Sequence, residues 1–246
     1  MNTTYKVQLF LLHFAGGSSY SYDFLRVFMD ADFEFIPLEI PGRGKRFGES
    51  LLTHKNEAIA DYTKQLQKLR NQHVPYLIYG HSMGATLALS VAHEMEKIND
   101  IPLSLIVSGN TGPGVKDIEE VHQNNPRYAM SDADFKAELT DLGGVPDEIL
   151  QSDEMYSLFV PIMRSDFEIL EKGSSHHSDK QIVLSTPIYA VMGSEEKYCE
   201  HITNWEKYTN NTFDHQLLEG NHFFINDHPE KLSSIITNCY QKNINR

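Results

Sequence analysis

Along the first half of the chain, apolar residues fall in short runs cut off by glycine-, proline- and serine-rich breaks. These alternate with longer stretches in which apolar residues recur at helical spacing. Val7 to His13 is a short, nearly continuous apolar run and predicts a buried strand, closed by the loop Phe14-Ala15-Gly16-Gly17-Ser18-Ser19. Phe33 to Ile40 predicts a second strand, ending at the turn signal Pro41-Gly42-Arg43-Gly44. Asn56 to Arg70 sets Ile59, Tyr62, Leu66 and Leu69 along one face of a helix. After Pro75 come a short strand from Tyr76 to Tyr79, an Ala-, Leu- and Met-rich helix from Gly84 to Ile98, and a strand from Leu103 to Ser108. Strands alternating with helices predict a largely parallel sheet covered by helices on both faces.

The pattern changes from Val115 to Lys180, which is polar, acidic and helical in character, with breaks at Gly143-Gly144-Val145-Pro146 and from Gly173 to Lys180. Strand signals resume at Pro187 to Met192 and at Phe213 to Leu218, and Pro229 opens a final helix, where proline is tolerated at the first position. A helical insertion between sheet strands reads as a lid. The expectation is one domain over residues 1–246, with the lid at roughly 115–180.

A length of 246 residues with 40% apolar content suits one α/β domain with a sizeable core. The net charge of -13, with Lys and Arg scattered, argues against a nucleic-acid groove or an anionic membrane surface as partner. No apolar run approaches the roughly 20 residues needed to span a bilayer. The start Met1-Asn2-Thr3-Thr4-Tyr5-Lys6 lacks the form of a signal peptide. Two cysteines, Cys199 and Cys239, form neither a disulfide framework nor a metal motif, so a cytoplasmic protein without a metal site is expected.

The candidate chemistry centres on Gly80-His81-Ser82-Met83-Gly84, a G-x-S-x-G motif set between an apolar strand and an amphipathic helix. That is the context of a nucleophile elbow in the α/β-hydrolase fold, with Ser82 on a sharp turn and small residues on either side. In this fold the chain order is Ser, acid, His. His222, in Gly220-Asn221-His222-Phe223-Phe224, follows the last predicted strand, whereas His215 lies inside that strand and His228 precedes Pro229. The acid is expected after the strand ending at Met192, where the chain reads Gly193-Ser194-Glu195-Glu196-Lys197. Glu196, three residues past Gly193, is favoured over Glu195, and Gly109-Asn110 offers no carboxylate. An oxyanion hole needs two N–H donors. Met83 supplies one, and Ala15, followed by two glycines, is the candidate for the other.

These residues resemble the stand-alone type II thioesterases that accompany nonribosomal peptide and polyketide synthetases. Phe14-Ala15-Gly16-Gly17-Ser18, Pro41-Gly42-Arg43-Gly44, Tyr79-Gly80-His81-Ser82-Met83-Gly84, Leu142-Gly143-Gly144-Val145-Pro146, Pro161-Ile162-Met163-Arg164-Ser165-Asp166-Phe167 and Gly220-Asn221-His222-Phe223-Phe224 carry the resemblance across nearly the whole chain. It implies hydrolysis of acyl or aminoacyl thioesters from the phosphopantetheine arm of carrier protein domains, without a cofactor. The chain departs at the acid, where the family usually has Asp and this sequence has Glu196. Two other readings stay open: a general carboxylesterase or lipase, and a hydrolase scaffold that only docks a partner. Arg43, Lys45 and Arg46 are candidate docking cations near the expected entrance.

Overall fold

A computed structural model describes residues 5–244 except 117, 119, 121–123 and 173–178. Its sheet has six strands, β1 (Val7–Leu12), β2 (Phe33–Leu38), β3 (Tyr76–His81), β4 (Ser104–Ser108), β5 (Ile188–Gly193) and β6 (Phe213–Leu218), in the order β2-β1-β3-β4-β5-β6. Every pairing is parallel. Strand bounds match the apolar runs to within two residues, the usual uncertainty of element ends.

The side-chain period of two sorts the central strands onto two faces. Phe10, Leu12, Tyr76 and Ile78 face one side, and Leu9, Leu11, Leu77 and Tyr79 face the other. On the first face lie α2 (Lys55–Leu69), which buries Ala58, Tyr62 and Leu66, and α3 (Met83–Lys97), which buries most of its length. On the second lie the short α1 (Asp23–Arg26) and α7 (Pro229–Asn243), which contribute Leu25 and Leu232, Ile235, Ile236 and Cys239. Apolar runs buried on both faces are what an all-parallel sheet requires.

Between β4 and β5 the chain forms α4 (Asp132–Leu142), α5 (Asp147–Gln151) and α6 (Asp153–Glu171). These helices hold a cluster of their own, Phe135, Leu139, Leu150, Met163 and Phe167. The Gly143-Gly144 break has φ values of 72° and 80°, a left-handed backbone that side chains disfavour. Of the second expected break, residues 173–178 lie outside the described residues, and a short 3-10 turn follows at Asp179–Gln181.

A 3-10 segment at Cys199–Tyr208, like the short α1, is absent from the elements that the sequence pattern predicts; it buries Ile202, Trp205 and Tyr208. Their spacing of three is the eclipsed repeat of that helix. Among the described residues no helix is long and apolar enough to cross a membrane.

The topology locates the site. From β1 the chain crosses to β2 on one side and later to β3 on the other, so loops leaving β1 and β3 diverge above adjacent strands. Crevices at the carboxyl ends of such strands are where open α/β sheets bind ligands.

Candidate active site

Ser82 stands in the turn between β3 and α3 with φ 55° and ψ -114°, left-handed for a residue with a side chain. Such a conformation costs about 1–3 kcal/mol and holds only where the surroundings enforce it. Here the enforcement is close packing. A Cβ on Gly80 would collide with the backbone of Gly84 and Ala85, and one on Gly84 with the backbone of Leu12 and His13. The Ser82 N–H also donates to the Ser108 carbonyl at 2.8 Å, tying the turn to β4.

The loop after β6 brings His222 over this serine. Its Nε2 lies 2.9 Å from Ser82 Oγ, and its Nδ1 lies 2.6 Å from Glu196 Oε2. The carboxylate fixes the tautomer: Nδ1–H donates to Glu196, leaving Nε2 to accept from the serine hydroxyl. The second oxygen of Glu196 accepts from the Gly193 N–H at 2.8 Å, so the glutamate is held at both oxygens despite its longer chain. Its side chain is 7% exposed and that of His222 is 20% exposed. Glu195 is exposed, and the structure gives its side chain no contact with His222. His215, also exposed, stacks on Phe213 along β6, and His228 Nε2–H donates to the Glu219 carbonyl; neither approaches Ser82.

Behind His222 lies His81, fully buried, with ring centroids 5.0 Å apart. Burial, and then the neighbouring His222, hold its pKa well below the ordinary histidine value, so it is neutral. Its Nδ1 is 2.9 Å from Ser108 Oγ, which is 2.7 Å from Tyr79 Oη. Its place in the elbow motif gave no hint of this network.

The loop after β1 faces the serine from the other side. Among the described residues, neither the Ala15 N–H nor the Met83 N–H has a hydrogen-bond partner, and both residues line the cavity that contains Ser82. Met83 opens α3, so its N–H is one of the unpaired donors at a helix start. Next in the loop, the Gly16 N–H donates to Asp166 Oδ2 at 2.7 Å.

Asp166 also receives Arg43, Nη1 to Oδ2 at 2.5 Å and Nη2 to Oδ1 at 2.7 Å, with side-chain exposures of 3% and 0%. This corrects the reading of Arg43 as a docking cation: it is an internal partner of α6. Arg46 is likewise engaged, by Glu49 and Asp61, which leaves Lys45 exposed and over the Tyr20 ring.

The cavity above Ser82 measures about 880 Å³. Its far wall is the α4–α6 segment, with Leu139, Val145, Phe159, Met163 and Phe167, and Phe223 borders it beside His222. Among the described residues no group of His, Cys, Asp or Glu could hold a metal ion.

A serine on a strained strand–helix turn, backed by a histidine and a buried carboxylate at the carboxyl edge of a parallel sheet, defines an α/β-hydrolase. The thioesterase domain family matches this chain over residues 7–240. Linear gramicidin dehydrogenase LgrE of Brevibacillus parabrevis is 28% identical over 98% of this chain and 90% of its own length. Its dehydrogenase name is that relative's; this chain has no G-x-G-x-x-G dinucleotide fingerprint. Thioesterase PikA5 of Streptomyces venezuelae is 30% identical over 90% of this chain and 76% of its own. Among solved structures, YbtT, a type II thioesterase from the yersiniabactin NRPS/PKS biosynthetic pathway, superposes with a TM-score of 0.85 at 26% identity, covering 97% and 94% of the two chains. The chain belongs to the thioesterase family, and its activity is thioester hydrolysis.

Proposed function

We propose that this chain is an editing thioesterase that releases acyl or aminoacyl groups from the phosphopantetheine arm of synthetase carrier domains, in the cytoplasm. The observation that carries the reading is the continuous relay Glu196–His222–Ser82, with contacts of 2.6 and 2.9 Å. His222 Nε2 takes the Ser82 proton as Oγ attacks the thioester carbonyl. The tetrahedral oxyanion sits between the Met83 and Ala15 N–H groups. On its collapse the C–S bond breaks, and the pantetheine thiolate leaves with the proton held by His222. Water, deprotonated by the same nitrogen, then attacks the acyl–Ser82 ester, and the carboxylic acid departs as Ser82 regains its proton. Glu196 stays ionised throughout and stabilises the imidazolium.

The carrier reading rests on the kinship with the YbtT thioesterase and on cavity size. An 880 Å³ chamber is large for a minimal acyl group and suits arm and acyl chain together. The α4–α6 segment acts as the lid of a single domain, with Gly143-Gly144 as the hinge that absorbs backbone change. With the chain at -13 and carriers commonly acidic, docking is local and weak, and association improves as salt screens the repulsion.

The test offers the same acyl group on a carrier protein and on a short pantetheine thioester. The carrier substrate should win in kcat/KM; equal values would leave a generic thioesterase. In parallel, Ser82→Ala should abolish the acyl adduct seen by mass spectrometry and lower kcat by on the order of 10⁶, the loss known for the nucleophile of a serine protease. Near-normal turnover by Ser82→Ala would end the serine mechanism.

A further inference from the structure

The α4–α6 segment has its own apolar cluster, yet one of its residues reaches the reaction centre's backbone. Phe159, Met163 and Asp166 recur at i, i+4 and i+7 on α6 and so share one face of the helix. That face lies on Gly16. A Cβ at Gly16 would collide with Met163 Sδ and the Phe159 ring, and the Gly16 N–H donates to Asp166 Oδ2 at 2.7 Å. Gly16 has φ 74°, so the turn that accepts α6 this closely is open to glycine and strained for other residues.

We infer that Asp166 is a positioning residue that builds the oxyanion hole from the lid side, by fixing the Ala15–Gly16 peptide so that the preceding N–H, that of Ala15, faces Ser82. The inference rests on the reading of the site as a serine hydrolase with Ala15 as an oxyanion donor. A peptide unit is planar, so anchoring the Gly16 N–H sets the plane of the Ala15–Gly16 unit and restrains Ala15 ψ and Gly16 φ. The Ala15 N–H lies one peptide earlier, on the Phe14–Ala15 unit, whose carbonyl accepts from the Gly17 N–H at 2.9 Å, and the two anchors hold Ala15 from both sides. Without an acceptor, the Gly16 N–H would seek another partner, and Ala15 would be held from the Phe14 side alone, which loosens the aim of its N–H. Preorganised donors need no reorganisation as the oxyanion forms, and that is the source of their effect on rate.

Arg43 completes the device electrostatically. A bare carboxylate one peptide away from a developing oxyanion would oppose the charge that the hole is meant to favour. The bidentate Arg43 pair makes the unit neutral while leaving Oδ2 able to accept from Gly16. Because Asp166 is carried by α6, while Arg43 and Gly16 follow β2 and β1, any lid displacement that removes Asp166 also dismantles the donor. Oxyanion stabilisation is thereby coupled to lid docking.

A purely structural ion pair makes different predictions. The test compares Arg43→Met/Asp166→Asn with Arg43→Met/Asp166→Leu. Both remove the charges together and avoid a stranded buried ion, but only the first leaves an oxygen for the Gly16 N–H. The Asn double variant should keep kcat within about fivefold, and the Leu double variant should lose roughly 10²-fold, near the effect of one oxyanion donor. A trifluoromethyl ketone, which forms a tetrahedral oxyanion on Ser82, should weaken in the Leu variant by the same factor as kcat. An acyl-pantetheine thioether, a ground-state mimic, should bind both within about threefold.

Equal turnover by the two double variants, or a loss shared by KM and thioether affinity, would overturn the inference. A second arm needs no variant. In the wild-type chain the Gly16 amide should exchange with solvent as slowly as the α6 core amides; fast exchange of Gly16 beside a protected α6 would also overturn it. Labelling of wild-type Ser82 by an organophosphorus probe separates a failure here from a failure of the serine-hydrolase reading itself.

Discussion

Two buried carboxylates serve this site at similar distances from their partners, and they are built for opposite tasks. Glu196 meets His222 at 2.6 Å with side-chain exposures of 7% and 20%, whereas Asp166 meets Arg43 at 2.5 and 2.7 Å with exposures of 0% and 3%. A histidine can exchange its proton near neutral pH and an arginine cannot. The Glu196 pair can therefore cycle through an imidazolium, while the Asp166 pair is a fixed dipole. Burial works against the charge on Arg43, but the charge and hydrogen bonds of Asp166 outweigh it, and the pKa of the guanidinium is raised above its ordinary value. The choice of partner, more than the carboxylate or its depth, decides whether a buried acid takes part in chemistry or holds shape.

The sharpest way to break this contrast is at the chemical pair. Glu196→Gln keeps the size of the side chain and removes its charge, so His222 loses its enforced tautomer and kcat should fall by about 10⁴, the effect seen for the equivalent change in a serine protease triad. Glu195→Gln, on an exposed side chain, should stay within a few-fold. Steady-state rates on one thioester decide it: the reverse ranking moves the role to Glu195, and two mild effects place the acid elsewhere.

Breaking the structural pair should cost stability more than chemistry can account for. Asp166→Ala strands Arg43 in the interior and should lower unfolding free energy by about 3–5 kcal/mol, whereas replacing both partners with apolar residues of similar volume should cost less, about 1–3 kcal/mol for the Gly16 N–H left without its acceptor. Denaturant titration of Asp166→Ala and of Arg43→Met/Asp166→Leu measures the difference. Similar losses in the two would mean that packing, and not the stranded charge, dominates at this position.

A smaller effect tests the surroundings of that pair. His13 is fully buried, and burial, followed by the nearby Arg43, lowers its pKa to about 3. The unfolded chain binds a proton at this residue below pH 6.5 and the folded chain does not until about pH 3. Stability is therefore lost as pH falls through that window. His13 should contribute a slope of up to about 1.4 kcal/mol per pH unit. His13→Gln should flatten the pH dependence of unfolding between pH 6 and 4 by about this amount, whatever it does to stability at pH 8; an unchanged slope would show that His13 is charged or solvated in the folded chain.

Much of this architecture was legible beforehand, for reasons that can be named. The elbow was readable because strand, turn and helix are contiguous: Tyr76 to Tyr79, Gly80 and Gly84 declare the local geometry without knowledge of the rest. Chain order singled out His222 among twelve histidines, and the three-residue step from Gly193 put Glu196 ahead of Glu195. Arg43 was misread because a cation in a Gly-rich loop is usually solvated, and nothing near it in sequence names its partner, 123 residues away. The Cys199–Tyr208 segment escaped because a three-residue repeat resembles neither a strand nor an α-helix.

The sequence by itself determined where the chain turns, which faces are apolar, and which residue types can attack, accept a proton and donate to an oxyanion. These are properties of neighbours within a few bonds, and local sterics and solvation settle them. Only the tertiary structure decided which of those groups meet. Ser82 and His222 are 140 positions apart, and Gly16 and Asp166 are 150. Contacts at such separation depend on strand order, crossover and helix docking together. The burial that turns Arg43 from a surface charge into an internal strut exists only once all three elements around it have packed.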